Sequence, residues 1–364
     1  SIYQAYQKGY IRAGWNMVCE LLKTILQTTV LLLTGNFILY LVVQQVVQLL
    51  PNIMVSRRAD NEFPYLKECH ELPEKEERNG ILKNIGAMSM HKLATVIVNN
   101  TDSLLMSSFI GLTAVGIYSN YRMVIINVQN IIVKLLSAFT GSVGNLSASE
   151  EPAKVYRIYR EMDFMFFVLN AYFAAGMFIL INPFIAIFFG EQYCFSTVTV
   201  ALIITSFFIT GLRRVNLIFR EGMGLFWNDR YKAVAESIIN LVVSLLLVKP
   251  FGIAGIVGGT IISTVTTCAW IEPYVLMKHG IKEDWQARLR RYFAEYAQHC
   301  ALTAALSAAG WYAASRFPID HIGKFLAAGV LYTIVFAVVI LLCYRKTEEY
   351  SSLKARCFAL VRRK

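Results

Sequence analysis

Long apolar runs separated by short polar stretches recur along the whole chain, near residues 16 to 35, 37 to 55, 84 to 110, 114 to 141, 163 to 189, 196 to 218, 233 to 249, 252 to 277, 294 to 314 and 321 to 344. A hydrocarbon core of about 30 Å needs roughly 20 helical residues, and most of these runs meet that length. Open sheets are excluded in lipid, where an unpaired strand edge finds no hydrogen-bonding partner. The pattern therefore predicts an all-α, polytopic transmembrane helical bundle of about ten spans.

If successive spans alternate in direction, the connections near 1 to 15, 56 to 83, 145 to 162, 213 to 232, 278 to 293 and 345 to 364 share one side. They hold roughly 28 of the 35 Lys and Arg, including Arg57, Arg58, Lys154, Arg157, Arg160, Arg288, Arg290, Arg291 and Arg345. The opposite turns hold essentially Lys249 and Arg316. The positive-inside rule makes the charged side cytoplasmic, with both ends of this chain on it. Outer connections are tight and use turn residues, as in Lys249-Pro250-Phe251-Gly252 and Phe317-Pro318-Ile319-Asp320, which leaves no room for a sizeable extracytoplasmic domain. The one long linker, 57 to 83, is rich in Glu, Lys and Pro and suits a solvated tether. The expected organisation is two spans in 1 to 56, the linker 57 to 83, six spans in 84 to 277, and two further spans with a basic tail in 278 to 364.

Composition agrees. The 364 residues are 56% hydrophobic and 16% charged, with a mean hydropathy of +0.49, far from soluble averages. A net charge of +11 would suggest nucleic acid in a soluble protein; here it reflects loop Lys and Arg. Cys19, Cys69, Cys194, Cys268, Cys300, Cys343 and Cys357 form no C-x-x-C pair and read as packing residues. His70, His91, His279, His299 and His321 are isolated, and no Gly-rich phosphate loop is present, so neither metal, ATP nor another cofactor is indicated. The Asn145 and Asn99 sequons fall in a cytoplasmic loop and within a span, and read as chance matches. No signal-peptide pattern follows Ser1. Pro51, Pro183 and Pro273 lie inside predicted spans and are expected to kink them, whereas Gly255 and Gly259 offer a small-residue face for close helix packing within the chain.

Charges inside the bilayer are costly and suggest function. Lys92, Asp102, Arg122 and Lys134 all belong to one predicted hairpin, the third and fourth spans, turning near Leu112 and Thr113 between Gly111 and Gly116. At 1.5 Å rise per residue, Asp102 and Arg122 lie at one depth, about ten residues from the turn, and Lys92 and Lys134 at another, about twenty away. The outer layer reads either as a structural ion pair or as a site. The inner layer brings two ammonium groups together, which repel unless they point apart, lose a proton or share an anion. Sharing an anion suggests a diphosphate entering from the cytoplasmic side. Lys92, Thr95, Asn99 and Asp102 fall within an arc of about 80° and form a polar stripe suited to a cavity wall. On the other arm Arg122 shares a face with Tyr118 and Gln129, whereas Lys134 lies about 120° away and either reaches the cavity or snorkels to headgroups, as Lys23 is expected to do. Glu236 and Glu272, near span ends, read as interfacial anchors or packing partners rather than ion sites.

Residues 99 to 124, NNTDSLLMSSFIGLTAVGIYSNYRMV, resemble the signature hairpin of bacterial polysaccharide flippases in the multidrug/oligosaccharidyl-lipid/polysaccharide exporter superfamily. Tyr6 to Tyr10 (YQKGY), Gly190 to Tyr193 (GEQY), Phe219 to Tyr231 (FREGMGLFWNDRY) and Asn240 to Ser263 (NLVVSLLLVKPFGIAGIVGGTIIS) resemble further segments in order. The resemblance implies a two-lobe fold like that of the multidrug exporters, with about four further spans before Ser1. It also implies a bacterial inner-membrane location, an undecaprenyl-diphosphate-linked oligosaccharide as substrate, and alternating access around a cationic cavity. Asp102 and Arg122 fall on the family's acidic and basic positions, so the implied cavity residues are Arg122, Lys92, Asp102, Asn99, Thr95, Lys134, Gln129 and Tyr118. H+ or Na+ is the implied coupling ion, and polysaccharide-assembly proteins are possible partners; no nucleic acid is expected. Alternative readings are a multidrug or cation-coupled exporter, which would prefer an acidic, aromatic cavity, and a membrane-embedded polysaccharide polymerase or ligase, which would need a large outer loop. A scaffold or channel is a third, lacking here a repeated pore ring.

Overall fold

The computed structural model describes residue 3, residues 8–65, 75–352 and 354, and within the helices 75–109 and 112–149 some side chains are left out. Cys69, His70 and Cys357 lie outside the described residues. Among the described residues every regular element is helical, as an apolar chain with no water for its backbone requires. The chain divides into two compact units, one up to Asn79 and one from Gly80.

In the first unit, α1 (Gly9–Thr34) and α2 (Phe37–Glu62) form an antiparallel hairpin. Each has 26 residues, about 39 Å of helix at 1.5 Å per residue. The turn is set by two residues. Gly35 takes a left-handed φ of 58° and returns its N–H to the Leu31 carbonyl, while the Asn36 side chain accepts from the Ile38 and Leu39 amides and so caps α2. Cys19, Val47, Val55 and Ala59 are buried, but Leu32 and Leu33 are 81% and 79% exposed, the outward apolar face expected where lipid is the solvent. Lys23 pairs with Glu20 at 2.5 Å.

In the second unit, α3 (Lys75–Phe109) and α4 (Leu112–Ser149) meet in a turn at Ile110 and Gly111. Gly111 has φ 115° and donates to Met106. The reversal thus comes one or two residues before the expected Leu112 and Thr113, because the glycine is the turn residue and Leu112 already starts the next helix. The centre of this unit is α5 (Pro152–Phe188), opened by a proline at its first position. Its small residues admit neighbours closely. A Cβ on Gly176 would lie 2.9 Å from the Tyr332 ring. Asn170 donates to the Phe208 carbonyl of α6 (Thr197–Leu212). Phe167 stacks on His299 of α10 (Trp285–Arg316) at 3.6 Å. Tyr332 of α11 (Ile322–Tyr344) donates to the Tyr172 carbonyl.

The short α7 (Arg214–Gly222) leads through a turn to α8 (Lys232–Ser263), which is not one rod. Gly252, with φ 58° and ψ −131°, reverses it. Gly255 packs on the Leu247 backbone and Gly259 on Ser244, so two antiparallel arms touch at the small-residue face anticipated for packing within the chain. The second arm continues as a π turn (Thr264–Cys268), a short α9 (Ala269–Val275) holding Pro273, and another π turn (Leu276–Ile281). Pro51 and Pro183 sit inside α2 and α5, which continue through them.

Among the described residues six helical stretches are long and apolar enough to cross a membrane: Tyr10–Thr34, Phe37–Glu62, Pro152–Phe188, Thr197–Gly222, Lys232–Ile281 and Ile322–Tyr344. The fifth contains the reversal at Gly252. The fully described α10 falls outside this set.

Candidate functional site

The hairpin of α3 and α4 carries the predicted charges, and the structure brings two of them close to one level. The Arg122 guanidinium donates to Ser103 Oγ at 3.2 Å, one residue beyond Asp102. Asp102 itself accepts from the Thr260 hydroxyl at 3.2 Å. Among the described residues no salt bridge joins Asp102 to Arg122, although the two charges lie close enough to attract each other. The anticipated outer layer therefore exists as two adjacent polar contacts rather than one salt bridge. Tyr118 packs half-buried against Leu105, Met106, Val248 and Ile256. Gln129 is half-buried and Lys134 exposed. The side chains of Lys92, Thr95 and Asn99 lie outside the described residues.

Asp102 leads into a feature that the sequence reading did not assemble. Two antiparallel helical arms touch at residue numbers that change by equal and opposite steps, and here the polar ones step by four. Ser244 Oγ donates to the Ile256 carbonyl at 3.2 Å, Asn240 Nδ2 to Thr260 Oγ1 at 3.0 Å, and Thr264 Oγ1 to Glu236 at 3.3 Å. Thr260 Oγ1 also lies 3.4 Å from the Ile256 carbonyl. Asn240 is fully buried and its Oδ1 has no hydrogen-bond partner. Around the Thr260 hydroxyl the chain thus gathers oxygens from the Asp102 carboxylate and the Ile256 carbonyl, while Asn240 donates from its amide nitrogen. Hard cations take such oxygen ligands, and a single carboxylate matches a single positive charge. Among the described residues no three His, Cys, Asp or Glu gather as a metal cluster.

Below Glu236 the ladder enters a buried ionic cluster. Arg213, at the junction of α6 and α7, grips Glu272 with two hydrogen bonds of 2.9 and 2.6 Å and reaches Glu236 at 3.3 Å. Lys232 meets Glu272 at 2.5 Å and Asp229 at 3.3 Å, and Arg220 meets Asp229 at 2.5 Å. Three cations face three carboxylates. Buried charges must be paired in this way, and Glu272 is only 1% exposed. Of the two roles expected for Glu272, anchor or packing partner, the structure has the second, at the centre of an ion network onto which Arg213 and Lys232 both turn inward. The signal was present in the sequence as two polar stripes at four-residue spacing, Lys232-Glu236-Asn240-Ser244 and Thr260-Thr264-Cys268-Glu272.

Two apolar cavities lie elsewhere in this unit. One of about 450 Å³ is a partly open groove between α5, α6 and α10, with Phe178, Phe208 and Trp311 in its wall. The other, about 230 Å³, lies between α4, α5 and α11. Neither is lined by any of the eight predicted cavity residues. No protein-family model, no curated protein and no solved structure matches the chain.

Proposed function

We propose that this chain is a membrane transporter that flips an undecaprenyl-diphosphate-linked oligosaccharide from the cytoplasmic to the outer leaflet of the bacterial inner membrane by alternating access. On this reading ten helical segments cross the bilayer: the apolar set with the Gly252 hairpin taken as two, together with α3, α4 and α10. The observation that carries the reading is Arg122, a guanidinium within the hairpin that hydrogen-bonds a neutral hydroxyl and makes no salt bridge among the described residues, with the Asp102 carboxylate near it but not in contact. A structural arginine among apolar helices needs a buried anionic partner, whereas one kept for a phosphate group does not, because the substrate supplies the charge. In sequence, Lys92, Thr95 and Asn99 continue the same polar stripe along α3.

The oxygens of Asp102, Thr260 and the Ile256 carbonyl support coupling to a monovalent cation, which these groups would hold. It equally favours the second reading, a cation-coupled multidrug exporter of the same general architecture. The two part at Arg122, because a cationic drug gains nothing from a guanidinium. Arg122→Ala in the full-length protein is expected to abolish surface-polysaccharide export with expression unchanged, and Asp102→Asn to remove the dependence of export on Na+. Normal export in the Arg122 variant would overturn the flippase reading; export of cationic dyes in place of polysaccharide would favour the second.

A further inference from the structure

The hydrogen-bonded rungs between the two arms of α8 run as far as Thr264, where the π turn Thr264–Cys268 begins, and beyond it Lys232 reaches past Cys268 to Glu272. A π turn holds an extra residue and recurs at functional sites. Its conversion to α rotates everything beyond it by about 100° relative to what precedes it, the angle of one helical residue. The residue that such a rotation displaces is Glu272, the carboxylate on which Arg213 and Lys232 converge. Cys268, fully buried here, closes the π turn itself. One helical turn before the π segment stands Thr260, held by Asp102 on another helix.

We propose that this ladder is a two-position latch. In the position seen here the arm is π-wound and the Arg213, Lys232, Glu236 and Glu272 cluster is closed; in the other it is α-wound, the cluster is open and Cys268 is accessible. The Asp102 to Thr260 contact and the Thr264 to Glu236 contact are successive links holding the closed position, so the state of Asp102 reaches the far end of the arm through Thr264. Arg213 also stands where α6 breaks into α7, so opening the cluster frees that junction as well. The latch does not depend on which substrate the chain moves.

The native Cys268 is the reporter. In the full chain with Cys19, Cys69, Cys194, Cys300, Cys343 and Cys357 replaced by serine, the labelling rate of Cys268 by a small membrane-permeant maleimide is measured without substrate. Slow labelling is expected in this parent and a rise of about five- to tenfold in Thr264→Val, which removes one hydrogen bond. Asp102→Ala is expected to raise it similarly, and the double variant no further than either single one, because both act along one path. Thr264→Ser, which keeps the hydroxyl, is expected to label as slowly as the parent. Equal labelling in parent, Thr264→Val and Asp102→Ala would overturn the latch, as would effects that multiply in the double variant or a Thr264→Ser chain labelling as fast as Thr264→Val. Because no substrate enters this measurement, its outcome is separate from that of the export assay.

Discussion

Glu272 touches two cations while being almost wholly enclosed, and its removal would leave Arg213 and Lys232 buried beside each other. Breaking a buried pair from one side costs about 3–5 kcal/mol. Glu272→Ala is expected to lower the thermal unfolding midpoint of the purified protein far more than Glu236→Ala, since Glu236 is half-buried and shares Arg213 with a stronger partner. Equal losses would mean that the cluster is not centred on Glu272. At this scale the sequence was partly legible. Charges deep in apolar runs, such as Asp102 and Arg122, stand out individually. Arg213, Lys232 and Glu272 lie near span ends, where a charge ordinarily meets headgroups, and only the folded chain turns all three inward.

The Gly252 hairpin rests on two close backbone approaches, and its glycines are not equivalent. A Cβ at Gly255 would lie 2.1 Å from the Leu247 carbonyl oxygen, whereas one at Gly258 would meet only Leu247 Cδ1 at 3.9 Å. Gly255→Ala therefore has to push the arms apart, at about 1–3 kcal/mol. Gly258→Ala is expected to be neutral or to stabilise by about 0.5–1 kcal/mol through the helix preference of alanine. A thermal-shift comparison of the two checks this, and indistinguishable midpoints would contradict the packing.

The turn before α11 gives a second prediction at this scale. Lys324, and then His321, hydrogen-bond the exposed Asp320 carboxylate and hold its pKa down to about 2. A depressed carboxylate contributes stability in full above its unfolded pKa of about 3.9 and loses it as pH falls through the folded value. Asp320→Asn should thus lower the midpoint slightly at neutral pH, with the difference vanishing near pH 2. A difference independent of pH would contradict it. The hairpin turns were legible because Gly and Pro punctuate them. The π turns were not, since their register follows from the partner that Glu272 finds rather than from local propensity.

For the whole molecule, apolar periodicity suffices to read an all-helical, multi-pass chain, and the six apolar helices with outward leucines agree with it. The α3 and α4 helices are 35 and 38 residues long and carry Asp102 and Arg122 among their apolar residues. The sequence reading put its candidate charges on this hairpin and missed the buried cluster around Glu272, and it could not foresee that Asp102 accepts from Thr260 while Arg122 donates to Ser103. That separation is what the transport reading depends on. The most direct measurement is translocation of undecaprenyl-diphosphate-linked oligosaccharide in vesicles holding the purified full-length protein or its Arg122→Ala variant. The account predicts that the variant loses about ten- to a hundredfold in rate at low substrate, the worth of a charged hydrogen bond. Equal rates in the two proteins would contradict it.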